Sequence, residues 1–202
     1  MPDAPGLELI RGEIESKHPG SVLDTGFEHG CASLSIDPAQ VLAVLTWLYD
    51  APGQGYRFLS SLHAADYLPA QPRFAVHYEL LNRDRVERIR VKALLEDVPP
   101  AGGVAGGTAP EDALATGRGG GSPAATGPAG DLLPEIDSCC ELFPTAEFQE
   151  REAFDFFGIV FRGHPDLRRI LLPDDYVGWP QRRDFPIGGE PVTFTYNERN
   201  YG

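Results

Sequence analysis

Residues 73–81 read RFAVHYELL and, after the turn formers Asn82-Arg83-Asp84, residues 86–94 read VERIRVKAL. Apolar and polar residues alternate through both runs, which is typical of β-strands whose two faces lie in different surroundings. The pattern predicts an antiparallel hairpin that buries one face and exposes the other. The exposed face carries three basic residues: Arg88, Arg90 and Lys92. Such a face is either an ordinary solvated sheet surface or a docking face for an acidic partner.

The segments before the hairpin predict two helices and two strands. Apolar residues recur at helical spacing in residues 7–17 and 38–49, and Asp37-Pro38 supplies an N-cap and a first helical residue for the second helix. Residues 31–36 and 56–62 have the composition of β-strands.

A third helix is predicted at residues 146–157, with Thr145 as its N-cap and Gly158 just after its end. Its apolar face is expected to carry phenylalanines, Phe148 among them. Its charged residues are expected to project elsewhere: Glu150, Arg151, Glu152 and Asp155. Together these elements predict an α+β fold, a two-layer sandwich of a small antiparallel or mixed sheet with helices, plus an extended C-terminal tail.

The 23 glycines and 19 prolines are concentrated in two places. Residues 99–130 are mostly Ala, Gly and Pro without an aromatic residue, and such a stretch cannot bury enough apolar surface to offset its ordering entropy. Prolines and turn formers fill the segment after Gly158. We therefore expect four parts: an α/β module at 1–98, a flexible loop at 99–130, a signature helix completing the domain at 131–160, and an extended docking tail at 161–202.

Charge and apolar content exclude several classes of protein. The net charge is −13, which argues against broad binding to nucleic acid and against a polybasic membrane anchor. No apolar run approaches the roughly 20 residues that span a bilayer, so we expect no direct transmembrane segment. The three cysteines are too few and odd in number for a disulfide scaffold and suit a reducing compartment. A soluble cytoplasmic protein, able to dock on a membrane complex, is the expectation.

Two groups of residues carry side chains suited to metal binding or to ion pairing. Cys139-Cys140 is either a pair of ordinary thiols or a source of one metal ligand, because adjacent side chains diverge. In the predicted helix, Arg151 and Asp155 stand at the i, i+4 spacing of an ion pair, and Glu150 can reach a basic residue of another segment. A free-standing thiol- or metal-dependent enzyme is the alternative to an interaction protein.

The C-terminal third repeats one charge pattern. His164 offers a base or a metal ligand. Asp166 with Arg168-Arg169, however, indicates a turn that pairs charges, and Arg182-Arg183-Asp184 has the same combination of charges. The residues by themselves indicate an interaction surface.

Three runs in this part of the chain form a distinctive set: EREAFDFFGI at 150–159, GHPDLRRIL at 163–171 and RRDFP at 182–186. They resemble the signature of the C-type subunit of bacterial NADH:quinone oxidoreductase, respiratory complex I, with a strong match over about 145–187 and a weaker one over about 35–95. The motif positions expected to fix the tail and its docking are Glu150, Arg151, Glu152, Asp155, Gly158, His164, Pro165, Asp166, Arg168, Arg169, Arg182, Arg183 and Asp184. Residues 99–130 and Cys139-Cys140 depart from the family pattern.

The resemblance implies a structural subunit of the peripheral arm, held on the cytoplasmic face of the plasma membrane through the complex. It implies no catalytic, cofactor-binding or metal-binding residue in this chain, with FMN and iron–sulfur clusters elsewhere in a complex that passes electrons from NADH to quinone and pumps protons. The implied partners are chiefly the D-like subunit, which holds the quinone site, and the B-like subunit. An equivalent subunit of a membrane-bound hydrogenase complex is the alternative assembly.

Overall fold

The computed structural model describes residues 2–97 and 133–186. The strands of its main sheet are β1 (Val22–Glu28), β2 (Cys31–Ile36), β3 (Phe58–Asp66), β4 (Phe74–Asn82) and β5 (Glu87–Leu95). They lie in the order β1-β2-β5-β4-β3, and all neighbours are antiparallel except the parallel pair β2 and β5. Two short parallel strands, β6 (Glu135–Asp137) and β7 (Val160–Arg162), form a second sheet. The predicted α+β class with a mixed sheet is confirmed.

Three helices accompany the main sheet: α1 (Ala4–Lys17), α2 (Val41–Asp50) and α3 (Ala146–Phe157). Helix α1 begins three residues before its predicted start, because the Asp3 carboxylate accepts the Gly6 N–H at 2.8 Å and caps the first turn. The segment predicted as one helix at 38–49 is a 3₁₀ turn at Pro38–Gln40, capped by Asp37, followed by α2.

The predicted antiparallel hairpin is present as β4 and β5, and it lies in the interior of the five-stranded sheet. Val76, Tyr78, Ile89 and Val91 alternate along β4 and β5 and are fully or almost fully buried under the helices. The other face differs from the prediction, because His77 is also buried there. Neighbouring side chains of that face cover its ring, so the face is not evenly solvated.

The sequence patterns failed at the two edge strands. No strand was predicted at β1, where Val22 is the one buried side chain and the remaining positions follow no apolar alternation. Strand β3 was predicted at 56–62 but spans Phe58–Asp66, and an irregularity between Leu59 and Ser61 interrupts its alternation.

After β7, the described chain contains no further helix or strand up to Pro186. This tail segment, residues 163–186, lies against α3 and the end of the sheet through side-chain hydrogen bonds. The predicted flexible loop at 99–130 and the last part of the predicted tail fall outside the described residues. Within residues 2–97 and 133–186, no helix is both long and apolar enough to cross a bilayer.

Candidate partner-docking site

Helix α3 buries three of its charged side chains. Glu150 and Asp155 are completely buried and Arg151 almost so, whereas Phe148 is 59% exposed. The prediction that the charges project away from the core and that Phe148 belongs to the apolar face was therefore wrong. The physical reason is that α3 lies between the sheet and irregular segments whose backbone groups need hydrogen-bond partners.

Asp155 organises the start of the tail segment. Its Oδ2 atom accepts the N–H groups of Ile170, Leu171 and Leu172 at 3.0, 2.7 and 2.9 Å. Burial by itself would raise the pKa of this carboxyl, but the three N–H donors and the Arg169 guanidinium lower it overall. The carboxylate thus remains charged and holds three consecutive residues in place.

Two arginines complete this arrangement. Arg169 donates to Oδ1 of Asp155 at 2.8 Å and to the Gly178 carbonyl at 3.0 Å. Arg151 donates to the carbonyls of Arg168 and Arg169 at 3.2 and 3.1 Å. The ion pair predicted between Arg151 and Asp155 is wrong, because each side chain serves the tail segment instead.

Glu150 serves the segment that precedes α3. Its carboxylate accepts the Ser138 hydroxyl at 2.6 Å, the Cys139 N–H at 2.8 Å and the Cys140 thiol at 3.4 Å. The basic partner predicted for Glu150 is therefore replaced by a hydroxyl, a backbone amide and a thiol.

Cys140, Glu150 and His164 form the one cluster of three potential metal ligands found among the described residues, with their ligand atoms within 4.8 Å of one another. Their spacing in the sequence did not predict that these three residues lie together. Each already has hydrogen-bond partners: His164 accepts the Asp166 N–H at Nδ1 and donates from Nε2 to the Glu147 carbonyl, both at 3.0 Å. An ion would have to displace these bonds.

The two vicinal thiols are held in their protonated form. Burial, followed by the charge of Glu150, raises the pKa of Cys139 far above its usual value. Burial also raises the pKa of Cys140 to about 12. Because the thiolate is the nucleophile and the metal ligand, this environment favours a structural role for both cysteines.

Gly158 ends α3 in the left-handed conformation, at φ +70°, as its position in the sequence predicted. A Cβ atom there would come within 2.5 Å of the Trp179 ring, so the site needs glycine for space as well as for conformation. Trp179 also packs edge-on against Phe154, with ring centroids 5.3 Å apart, and the Arg169 guanidinium lies 4.7 Å from its centroid. Thr145, by contrast, makes no capping hydrogen bond.

A second polar cluster joins the end of the sheet to the tail segment. Arg73, immediately before β4, is bonded to Asp66 at 2.8 Å, to Asp97 at 2.9 Å and to Asp184 at 2.6 Å. Burial by itself would lower the pKa of Arg73, but hydrogen bonds to the three carboxylates raise it overall. We call these four residues the Arg73 cluster.

Residues 182 and 183 support the Arg73 cluster from the tail. Arg183 gives its N–H to Asp66 at 2.8 Å and its guanidinium to the Leu68 carbonyl at 2.6 Å. Arg182 donates to the Phe157 carbonyl at 2.7 Å and stacks on Phe74, 4.9 Å from its centroid. The charge pairing predicted inside Arg182-Arg183-Asp184 therefore does not form, because all three residues bind other segments.

The remaining motif residues lie at the surface. Asp166 pairs with Arg168 at 2.8 Å, as the predicted turn requires. Glu152 and Pro165 are exposed.

Three residues of the Arg73 cluster were not predicted as site residues: Arg73, Asp66 and Asp97. The available signal was an arginine immediately before a strand that is largely buried. Such a position calls for carboxylate partners, but local spacing does not say which ones.

Comparisons with known proteins agree on one family. The family model described as "Respiratory-chain NADH dehydrogenase, 30 Kd subunit" matches residues 34–103 and 126–191. The C-type subunit of NADH-quinone oxidoreductase from Herpetosiphon aurantiacus is 37% identical over 86% of this chain and 81% of that protein. The protein of the same name from Roseiflexus castenholzii is 34% identical over 94% of this chain and 89% of that protein.

A solved structure shares the fold at lower identity. It is described as the membrane-bound sulfane sulfur reductase, an archaeal respiratory membrane complex. One of its chains aligns with a TM-score of 0.57 and 18% identity, covering 96% of this chain and 90% of that one. This likeness concerns the fold alone.

Acid should weaken the Arg73 cluster through Asp66. Burial opposes the charged form of Asp66, but Arg73 and the N–H groups of Leu68 and Arg183 outweigh it and lower its pKa to about 2. A carboxyl with a lowered folded-state pKa stabilises the protein above its unfolded pKa of about 4, and this contribution is lost as pH falls toward 2. We expect the loss to amount to about 2 kcal/mol, measured by urea unfolding at a series of pH values. Asp66→Asn should flatten the pH dependence of the free energy of unfolding between pH 4 and 2. The control Asp50→Asn, at an exposed position, should keep that dependence. Equal pH dependence in the two variants would contradict the assignment.

Replacing Gly158 should disturb the tail more than replacing another glycine. Gly158→Ala adds a methyl group at positive φ and against Trp179, so we expect a loss of at least about 1–2 kcal/mol together with a change in Trp fluorescence. The control is Gly12→Ala inside α1, where a Cβ meets no atom within 4 Å, and it should stabilise the chain by about 0.5–1 kcal/mol. Urea unfolding measures both, and a neutral Gly158→Ala would show that Trp179 does not pack as described.

Proposed function

The chain belongs to the family of the 30 kDa subunit of respiratory-chain NADH dehydrogenase, and from this premise we propose that it is a subunit of an NADH:quinone oxidoreductase that carries no cofactor of its own. Its role is to fix the position of neighbouring subunits. Electrons pass from NADH through FMN and iron–sulfur clusters to quinone in other chains of the complex, which pumps protons.

The proposal rests on one observation: the charged side chains of the motif bind other segments of this chain. Asp155, Arg151 and Arg169 are occupied by the backbone of the tail segment, and Glu150 by the segment before α3. A catalytic acid or base needs a free position beside a substrate, whereas these groups are saturated by contacts within the chain. Their arrangement supports the proposal of a scaffold.

The surface that the scaffold presents is suited to a protein partner. Phe148 on α3 and Leu171 and Val177 on the tail segment are large apolar side chains that are more than half exposed. Exposed aromatic and aliphatic side chains on a rigid support are typical anchors of protein interfaces. We assign these exposed side chains to contacts with the D-like subunit, which holds the quinone site, with the B-like subunit next to it.

Attachment to the membrane is then indirect. The chain is held on the cytoplasmic face of the plasma membrane through its partner subunits. The same scaffold role applies in a hydrogenase-type complex, so the partners recovered with the chain distinguish the two assemblies.

Arg151→Ala should impair assembly without affecting any redox centre. It removes both hydrogen bonds to the carbonyls of Arg168 and Arg169, and loosening of the tail should lower the amount of assembled complex by at least about threefold. The control is Arg162→Ala, which removes an exposed ion pair with Asp137 and should assemble normally. The complex is purified from membranes through a tag on this chain, and its subunits, FMN and iron–sulfur signals are quantified.

Two outcomes would contradict the proposal. Normal assembly of Arg151→Ala with one iron–sulfur signal missing would place a redox centre in this chain. Recovery of the wild-type chain alone, or with hydrogenase subunits, would remove it from an NADH:quinone oxidoreductase.

A further inference from the structure

The sheet face that points away from the helices has a row of cations along its central strand. Three basic residues alternate along β5: Arg88, Arg90 and Lys92. Alternate side chains on a strand are about 7 Å apart and share a face. Strand β5 lies between β2 and β4, so this row, which we call the basic ridge, runs through the middle of the open face.

A neighbouring strand and the residue that follows β3 hold two members of the basic ridge in position. Glu79, directly opposite on β4, pairs with Arg90. The Lys92 ammonium lies 4.5 Å from the centroid of the Tyr67 ring, whose hydroxyl is hydrogen-bonded to His77 at 3.0 Å. Side chains ordered before binding lose less entropy on forming an interface.

The buried histidine beside the ridge does not add to its charge near neutral pH. The ring of His77 stacks on His63 with centroids 4.9 Å apart. Burial, and then the charges of His63, Arg90 and Lys92, lower the pKa of His77 to about 4. The positive potential of this part of the face therefore comes from the basic ridge.

Small side chains border the ridge on its other side. Strand β2 places Ser33 opposite Arg90 and Ser35 opposite Lys92, and Gly26 of β1 lies opposite Ser33. These short side chains form a strip parallel to β5 beside the row of long ones, and we call this strip the trough. Asp24 of β1, opposite Ser35, marks its far margin.

The segregation of charge is unusual for this chain. With 30 acidic and 17 basic residues, the protein has a net charge of −13, yet the paired face of β4 and β5 sets three cations against Glu79. Arg88 is exposed, and no residue within 2–97 or 133–186 forms an ion pair with it. The three cations lie in line along β5, whereas the acidic residues of this face lie on other strands, Glu79 on β4 and Asp24 and Glu28 on β1. A local row of one sign attracts a segment of the other sign and orients it on encounter.

We propose that the basic ridge and its trough are a docking surface for an acidic segment of another protein, which lies along β5 with its carboxylates facing Arg88, Arg90 and Lys92. The proposal rests on the proposed function only for the class of partner, a neighbouring subunit of the same complex. This surface is distinct from the apolar one around Phe148 because it lies on the opposite side of the sheet from the helices.

A pair of charge reversals with a matched control tests the electrostatic part. Arg88→Glu with Lys92→Glu changes the net charge by the same amount as Arg11→Glu with Lys17→Glu on α1. In complexes purified at low salt, we expect the first pair to lower the occupancy of this chain by about tenfold and the α1 pair to leave it nearly unchanged. Equal behaviour of the two pairs overturns the proposal. Urea unfolding of each variant shows whether the chain is folded.

Photo-crosslinking identifies the occupant in a chain that keeps the whole basic ridge. A photoreactive amino acid replaces Ser35 in the trough, and in a control it replaces Ser16, which is exposed on α1. Irradiation of native membranes should join position 35, and not position 16, to an acidic peptide of another subunit, and salt should suppress the product. A product with this chain's own residues 98–132, with nucleic acid or with a neutral peptide overturns the proposal, as does the absence of a product at position 35. The crosslink at position 35 does not depend on the tail. It can therefore be absent while Arg151→Ala still lowers assembly, and it can be present while Arg151→Ala has no effect, so the two proposals are tested separately.

Discussion

The Asp155 carboxylate holds an irregular segment whose backbone N–H and C=O groups cannot all find hydrogen-bond partners within the segment. Residues 163–186 form no described helix or strand, so their N–H and C=O groups lack the partners that a helix or sheet provides. Helix α3 supplies those partners: Asp155 accepts three consecutive N–H groups, and Arg151 donates to two carbonyls. The cost of burying these charges is offset by hydrogen bonds, since Asp155 accepts from three N–H groups and from Arg169, and Arg151 donates to two carbonyls. The tail therefore has a defined position although it has no regular secondary structure.

The Arg73 cluster extends the same principle to the end of the sheet. One guanidinium reaches carboxylates from β3, from the residues just after β5 and from the tail, and its planar fork can meet several of them at once. Removing one member of such a buried group leaves the others with uncompensated charge, so the segments are coupled. Buried polar contacts thus join the sheet, α3 and the tail, and the proposed scaffold role depends on this connection.

The sequence predicted the periodic parts of this structure and missed those decided by tertiary contacts. The hairpin of β4 and β5, the helices and the glycine that ends α3 follow from local patterns that packing reinforces. Strand β1 is an edge with one buried anchor, so it carries no clear alternation. The motif charges were recognised, but their partners were assigned by helical spacing, and Asp155 was expected to pair with Arg151. The actual partners are 14 to 17 residues away from Asp155 along the chain, and Arg73 lies 111 residues from Asp184, so no local rule could find them.

The most direct test of the account is amide hydrogen exchange at residues 170–172 in the wild-type chain and in Asp155→Asn. If the carboxylate is what orders the tail, these three amides are protected in the wild-type chain and lose their protection in the variant, while the amides that join β4 and β5 keep theirs. Unchanged protection at residues 170–172 would contradict the account, because it would mean that the tail is ordered by something other than the buried charge on α3.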